Sequence, residues 1–196
     1  MTQTNMNKAT QLVTGEVRFS YLHVFQPHAV EQGQQEKYSV SLLIPKNDVN
    51  TLNKIKQAIE NAKVAGKSKI AGKNGQIPAN VKMPIRDGDT DRPDNPEYAG
   101  HYFVNASSTF KPGVVDQNVN PIIDSTELYS GCYGRADINF YAFNSNGNKG
   151  IACGLNNLQK TRDGETLGGR ARAEDVFGAV DTPQVAQNDP MADFLS

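Results

Sequence analysis

Long apolar runs are missing from this sequence. No segment approaches the roughly 20 apolar residues that a membrane-spanning helix needs. The opening residues, MTQTNMNKAT, have neither the charged nor the apolar segment of a secretion signal. The sequence therefore argues against a membrane protein and predicts one that stays in the cytoplasm. A hydrophobic content of 37% over 196 residues supports one core, with part of the chain left as loops.

Cysteine is also scarce, since Cys132 and Cys153 are the only two. They lie in two neighbouring strand-like runs, in a register that keeps them from facing each other directly. Cytoplasmic proteins seldom form disulfides. Both cysteines are therefore predicted to be reduced strand residues.

Motifs for catalysis are missing as well. The sequence has no GxSxG, no phosphate-binding GxxxxGK[ST], no HExxH and no CxxC, and its three histidines lie in separate segments. A metal-dependent nuclease is an alternative function, built on the acids of one short stretch, Asp87, Asp89, Asp91 and Asp94. That stretch lacks the Gly and the Glu of a calcium loop, and two-metal sites usually draw ligands from several elements. We therefore predict no catalytic residue, no metal and no cofactor.

A strong net charge is absent too, but the balance of -1 hides an asymmetry. All twenty Lys and Arg lie at or before Arg172, together with sixteen acids, so residues 1–172 carry +4. Residues 173–196 contain five acids and no base. A mildly basic body followed by an acidic segment is typical of a protein that binds a polyanion.

The most regular pattern in the chain is a pair of strand-like runs in residues 132–159, joined by the Asn- and Gly-rich loop 144–149. The first run alternates polar or aromatic residues with four apolar ones, Ala136, Ile138, Phe140 and Ala142. This is the period-2 pattern of a half-buried strand, and Asn-Gly steps favour a tight reversal. The pattern predicts a long antiparallel hairpin.

Further strands and one helix are predicted upstream. The same alternation indicates strands at residues 12–21, 38–44 and 101–109, with a short one at 114–116. The helix begins after Asn47 or Asp48 and ends at Gly66. We therefore predict a mainly β fold, a β-barrel of the five-stranded oligonucleotide-binding kind, with one α-helix between strands and long loops, among them 22–36. Residues 1–180 form this domain, and residues 181–196 form a disordered acidic tail.

Rings and cations share one face of the predicted strands. Proteins that hold single strands without reading sequence need aromatic faces for base stacking and cations along the phosphates. The candidate DNA-binding residues are Arg18, Phe103, Lys111, Tyr133, Arg135, Tyr141 and Phe143. The set predicts sequence-independent binding of single-stranded DNA with salt-sensitive affinity. A virion or scaffold protein that binds protein through this face is a second alternative.

The acidic tail places an aromatic residue beside a carboxylate. Phe194 follows Asp193, and Asp189 precedes both. A disordered segment of this kind can serve as a short recognition peptide. We interpret Asp189, Asp193 and Phe194 as a partner-binding tail.

Five segments, taken in series, resemble the single-stranded-DNA-binding proteins of tailed bacteriophages. They are YSVSLLIPK (38–46), PIRDGD (84–89), KPGVVD (111–116), ELYSGCYGRADINFYAF (127–143) and KGIACGLNNLQKTRDGETLGG (149–169). The resemblance implies an oligonucleotide-binding fold, a role in DNA replication or recombination in the cytoplasm of the host bacterium, no enzymatic activity and no cofactor. It also implies replication or recombination proteins as partners of the tail. The tail departs from those of bacterial single-strand binders, because few acids precede Phe194 and two residues follow it.

Overall fold

Five long strands surround the core of the structure, a computed structural model that describes residues 9–29 and 33–168. The strands are β1 (Gln11–Val13), β2 (Val17–His28), β3 (Lys37–Pro45), β4 (Ile85–Asp87), β5 (His101–Ser108), β6 (Gly113–Val115), β7 (Tyr133–Ser145) and β8 (Asn148–Arg162). The helices are α1 (Val49–Ala65), α2 (Lys67–Ile70) and α3 (Gly88–Asp91), followed by a 3₁₀ turn at Pro96–Tyr98. The predicted mainly β fold is confirmed.

The five long strands pair in a ring. In order they are β2, β3, β5, β8 and β7, and β7 returns to β2. All of these pairs are antiparallel except that of β5 with β8. Two joints are short, because β2 meets β7 only at Val17 and Arg18, and β5 meets β8 only at Ala106 and Ser107. The sheet therefore curls round its core without closing into a fully hydrogen-bonded barrel, which corrects the predicted barrel to a partly open one.

The first predicted strand is two strands in the structure. β1 pairs with the middle of β7, whereas β2 pairs with β3 and with the start of β7. Between them, the backbone N–H of Gly15 donates to Thr51 Oγ1 of α1 at 2.8 Å. β2 also runs seven residues beyond the predicted end at Tyr21, because irregularities in its pairing with β3 break the alternation that marks a strand in sequence. The predicted loop 22–36 is correspondingly shorter.

Helix α1 lies where the sequence predicted it. The Asp48 side chain accepts a hydrogen bond from the Thr51 N–H at 3.0 Å and so caps the first turn. Ile55, Ile59 and Ala62 are buried against the core. The prediction of a single helix is wrong, since the described residues also contain α2 and α3, each only four residues long. Elements this short carry too little periodicity to be detected in sequence.

The predicted hairpin is confirmed as β7 and β8, which turn at Asn146 and Gly147 with positive φ angles of 49° and 83°. The four alternating apolar residues of β7 point into the core. Cys132 and Cys153 are buried free thiols. No helix in the described part of the chain is long and apolar enough to cross a membrane. The predicted tail, residues 181–196, lies outside the described residues.

Candidate nucleic-acid interface

A groove of about 720 Å³ crosses the outer face of β2, β3 and β5. Its floor includes small polar residues of β3 and β5, namely Ser39, Ser41, Asn105 and Ser107. One wall comes from β2 and the loop after it, and the other from the segment that leads into β5. The groove thus combines a shallow polar floor with walls from two connections, a shape that admits an extended chain.

Tyr21 supplies an exposed ring to this groove. The residue has a φ of 45° and lies where the pairing of β2 with β3 is irregular. A positive φ is costly for a bulky side chain, and such strain concentrates at functional sites. The side chain stays 53% exposed although it lines the groove. Tyr21 therefore offers a surface on which a base can stack.

Basic groups lie on both walls of the groove. Lys37 and Arg92 line it, together with two histidines of β2. The rings of His23 and His28 stack, with centroids 4.5 Å apart and planes 15° apart. Burial, followed by the charge of His28, lowers the pKa of His23. The pair is therefore held mainly neutral near pH 7, and an anion in the groove would favour its protonated form.

Affinity for single-stranded DNA is expected to rise as pH falls below about 6.5, the ordinary histidine pKa. In the free protein the pKa of His23 is lowered, so the site holds fewer protons than an ordinary histidine would. Nearby phosphates raise that pKa again, so binding takes up protons and gains strength with acidity. The measurement is the dissociation constant of labelled oligo-dT between about pH 5.5 and 8, across the titration range of histidine.

A double variant, His23→Gln with His28→Gln, is expected to flatten this dependence. His101→Gln is the matched control, because His101 lies outside the groove and contacts the Ala99 carbonyl at 2.7 Å. The same pH dependence in the double variant and in the wild type would show that other groups bind the protons.

Phe110 and Lys111 follow the end of β5 that lines the groove. Phe110 lies three residues beyond Ser107, and its N–H donates to Ser108 Oγ at 3.0 Å. Its ring is 82% exposed. Lys111 lies with its Nζ 6.0 Å from the centroid of the Phe25 ring of β2. An exposed ring beside a cation extends the groove along the direction of β5. Sequence reasoning selected Lys111 and missed Phe110, because it treated the segment only as a turn.

Arg18 and Tyr133 are the only two predicted DNA contacts that the described structure brings together, and both hold a neighbouring segment. The Arg18 guanidinium lies 5.4 Å from the centroid of the Tyr133 ring. It donates to the carbonyl oxygens of Gly131 and Glu165, at 3.3 and 2.8 Å. The Arg162 guanidinium lies only 3.5 Å from the same ring centroid. These contacts fix residues 163–167 against the sheet and occupy the ring surface that a base would need.

Phe103 was predicted as a base-stacking residue, and this prediction is wrong. Its ring is 1% exposed, because Tyr98 covers it edge-on with centroids 5.0 Å apart. Tyr98, Phe103 and Leu43 form a second, smaller hydrophobic cluster on the outer face of the sheet, with Leu167 packed against it. The alternation placed Phe103 on the outer face correctly, but it could not show that the 3₁₀ turn folds over that face.

Arg135, Tyr141 and Phe143 lie on the outer face of β7. Tyr141 is 43% exposed and Phe143 is half-buried, while Arg135 Nε donates to the Thr14 carbonyl at 3.3 Å. β7 pairs with β1, β2 and β8 but not with β3 or β5. This face is therefore separate from the groove, and within the described residues none of the seven predicted DNA contacts lines it.

The acids of the alternative nuclease site are held by other protein groups. Lys46 Nζ lies 2.7 Å from a carboxylate oxygen of both Asp87 and Asp89. The hydrogen bond from Lys46, followed by that from the Gly100 N–H, lowers the pKa of Asp89. Asp91 lies 3.6 Å from Arg86. In the part of the chain that the structure describes, no group of three or more His, Cys, Asp or Glu is placed to hold a metal ion.

The three residues predicted for the partner-binding tail, Asp189, Asp193 and Phe194, lie outside the described residues. Their role remains a prediction from the sequence.

Comparison with known proteins places this chain among phage proteins. The family model described as Enterobacter phage Enc34, ssDNA-binding protein, matches residues 10–189. A protein called p50 from Acyrthosiphon pisum secondary endosymbiont phage 1 is 33% identical over 165 residues, which is 81% of this chain and 88% of p50.

Solved structures agree with the family match. The single-stranded DNA-binding protein from bacteriophage Enc34 in complex with ssDNA is 30% identical with a TM-score of 0.69, covering 82% of this chain and 91% of that one. The gp2.5 single-stranded DNA-binding protein of bacteriophage T7 is 14% identical with a TM-score of 0.58, covering 86% of this chain and 98% of that one. The second likeness is one of fold alone. The named functions among these relatives are DNA binding and not catalysis.

Proposed function

Because the chain belongs to the family of the phage Enc34 single-stranded-DNA-binding protein, we propose that it binds single-stranded DNA without reading its sequence, along the groove over β2, β3 and β5. The observation that carries this placement is the groove itself, with the exposed Tyr21 ring, two basic residues and a histidine pair round a polar floor. Bases stack on rings of any sequence, and cations follow the phosphates.

The strand order supports this placement. Taken along the chain, the ring strands pair first with second, second with third, third with fifth, fifth with fourth and fourth with first. The five-stranded oligonucleotide-binding barrel is a partly open one that binds on the face of its second and third strands. β3 and β5 are those strands here, and they form the floor of the groove.

Of the predicted contacts, Lys111 keeps its role in this proposal and gains Phe110 as its neighbour. Arg18 and Tyr133 act through the segment they hold. The outer face of β7, with Arg135, Tyr141 and Phe143, is a separate surface that the proposal does not use. Residues 1–180 act as the DNA-binding domain. The acidic residues 181–196 recruit replication or recombination proteins in the host cytoplasm.

A fluorescence titration of the full chain with labelled oligo-dT tests the function. The affinity is expected to fall as salt rises, because each phosphate contact releases counterions. The logarithm of the binding constant should fall with the logarithm of salt concentration by about 0.7 per phosphate contact on a single strand. Lys37→Gln removes a cation that lines the groove. It is expected to lower that slope by about 0.7 if Lys37 contacts one phosphate.

Lys54→Gln is the matched control, since Lys54 is an exposed lysine of α1 outside the groove. It removes the same charge from the protein and is expected to leave the slope unchanged. Absence of binding even at low salt would refute the proposed function. Equal slopes for the two variants would refute only the placement in the groove.

A further inference from the structure

A second, apolar groove lies on another part of the molecule, between α1 and β4. Its volume is about 290 Å³, near the lower end for ligand pockets in proteins. The apolar lining comes from α1, from the segment around β4 and from β5, and consists of Leu52, Ile55, Ile59, Met83, Ile85 and Tyr102. Met83 is 41% exposed. The groove therefore leaves apolar surface open to solvent beside the DNA-binding face.

The surroundings of this second groove carry the positive charge of the chain. Residues 49–83 contain seven lysines and a single acid, Glu60, so this range has a net charge of +6. Glu60 is paired with Lys63 at 2.8 Å, and the other acid at the rim, Asp87, is paired with Lys46. Lys56 lines the groove and makes none of the ion pairs found among the described residues. An apolar groove on a cationic surface fits a peptide that is acidic with an apolar residue beside the charge.

This chain contains such a peptide. Residues 173–196 carry -5 with no base, and Phe194 and Leu195 directly follow Asp193. We propose that the groove between α1 and β4 binds the chain's own segment Asp193 to Leu195, with the Phe194 ring on the apolar lining and the acids of the tail over the lysines. The body of the protein outside residues 49–83 has no comparable excess of cations, because residues 1–172 together carry only +4.

The tail is long enough to reach. The described structure ends at Gly168, so 26 residues separate it from Phe194. A flexible chain of this length spans about 28 Å on average and up to about 90 Å when extended. A domain of this size has a radius of gyration of about 15 Å. The tail can therefore reach any face of its own domain.

Amide chemical shifts of the full chain, measured without DNA, test this inference independently of the proposed function. Phe194→Ala is expected to change the shifts of residues 52–59 and 83–86. Met191→Ala, an apolar change three residues earlier in the tail, is the matched control and is expected to leave them unchanged. The changes should persist on tenfold dilution, because the docked segment belongs to the same chain.

Blocking the groove gives the reciprocal test. In a Met83→Glu background, a carboxylate lies in the apolar groove and repels the acidic tail, so Phe194→Ala is expected to have no effect on residues 52–59. Val64→Glu is the control background, since Val64 is 78% exposed on the same helix and does not line the groove. The inference is overturned if Phe194→Ala changes no shifts in the domain, if it changes those of Tyr21, His23 and Lys37 instead, or if the changes vanish on dilution.

Discussion

Tyr21→Ala is expected to weaken the binding of oligo-dT about 5- to 150-fold, the loss of one base-stacking contact worth about 1 to 3 kcal/mol. Tyr21 is the most exposed aromatic ring of the groove, and the strain at its backbone is maintained by the fold around it. Alanine keeps the Cβ atom and therefore the same backbone cost. The thermal midpoint should hardly change, because the ring is largely outside the core. The measurement is the dissociation constant at one fixed salt concentration.

Tyr141→Ala is the matched control for this prediction. Tyr141 is exposed to a similar degree, 43% against 53%, but it lies on β7 outside the groove. Its replacement is expected to leave affinity unchanged. A larger loss for Tyr141→Ala than for Tyr21→Ala would mean that DNA follows the β7 face, as the sequence alone predicted.

Tyr98→Ala is expected to lower the free energy of unfolding by about 3 to 5 kcal/mol, as for other large buried aromatic residues. The ring is 1% exposed and covers Leu43 and Phe103 on the outer face of the sheet. Its loss uncovers that cluster and removes one border of the DNA groove. Denaturant unfolding monitored by circular dichroism measures the change.

Tyr98→Phe separates the ring from its hydroxyl. The hydroxyl donates to Ser41 Oγ at 3.2 Å, and Phe removes this one hydrogen bond while keeping the ring. The expected cost is about 1 kcal/mol. Equal costs for the two variants would show that the hydrogen bond, and not the packing of the ring, holds this segment on the sheet.

The sequence predicted the parts of the fold that depend on local periodicity. The hairpin of β7 and β8 and the helix after Asp48 each combine a repeating apolar pattern with a clear end signal. The prediction failed where geometry interrupts the pattern. The positive φ of Tyr21 and the irregular pairing of β2 ended the alternation at that residue, although the strand continues to His28.

The site was harder to predict because it depends on what covers each face. The outer faces of β5 and β7 were both identified correctly from alternation. Only tertiary structure shows that Tyr98 covers Phe103 and that Arg162 lies on Tyr133. The groove residues that replace them, Tyr21 among them, come from segments with no local signal of binding.

Photocrosslinking with an iodouracil-substituted single strand, followed by mass spectrometry of the crosslinked peptides, tests the position of the DNA most directly. The groove placement predicts crosslinks at Tyr21, at the histidine pair and at Phe110. Crosslinks confined to Tyr141 and Phe143 would contradict it.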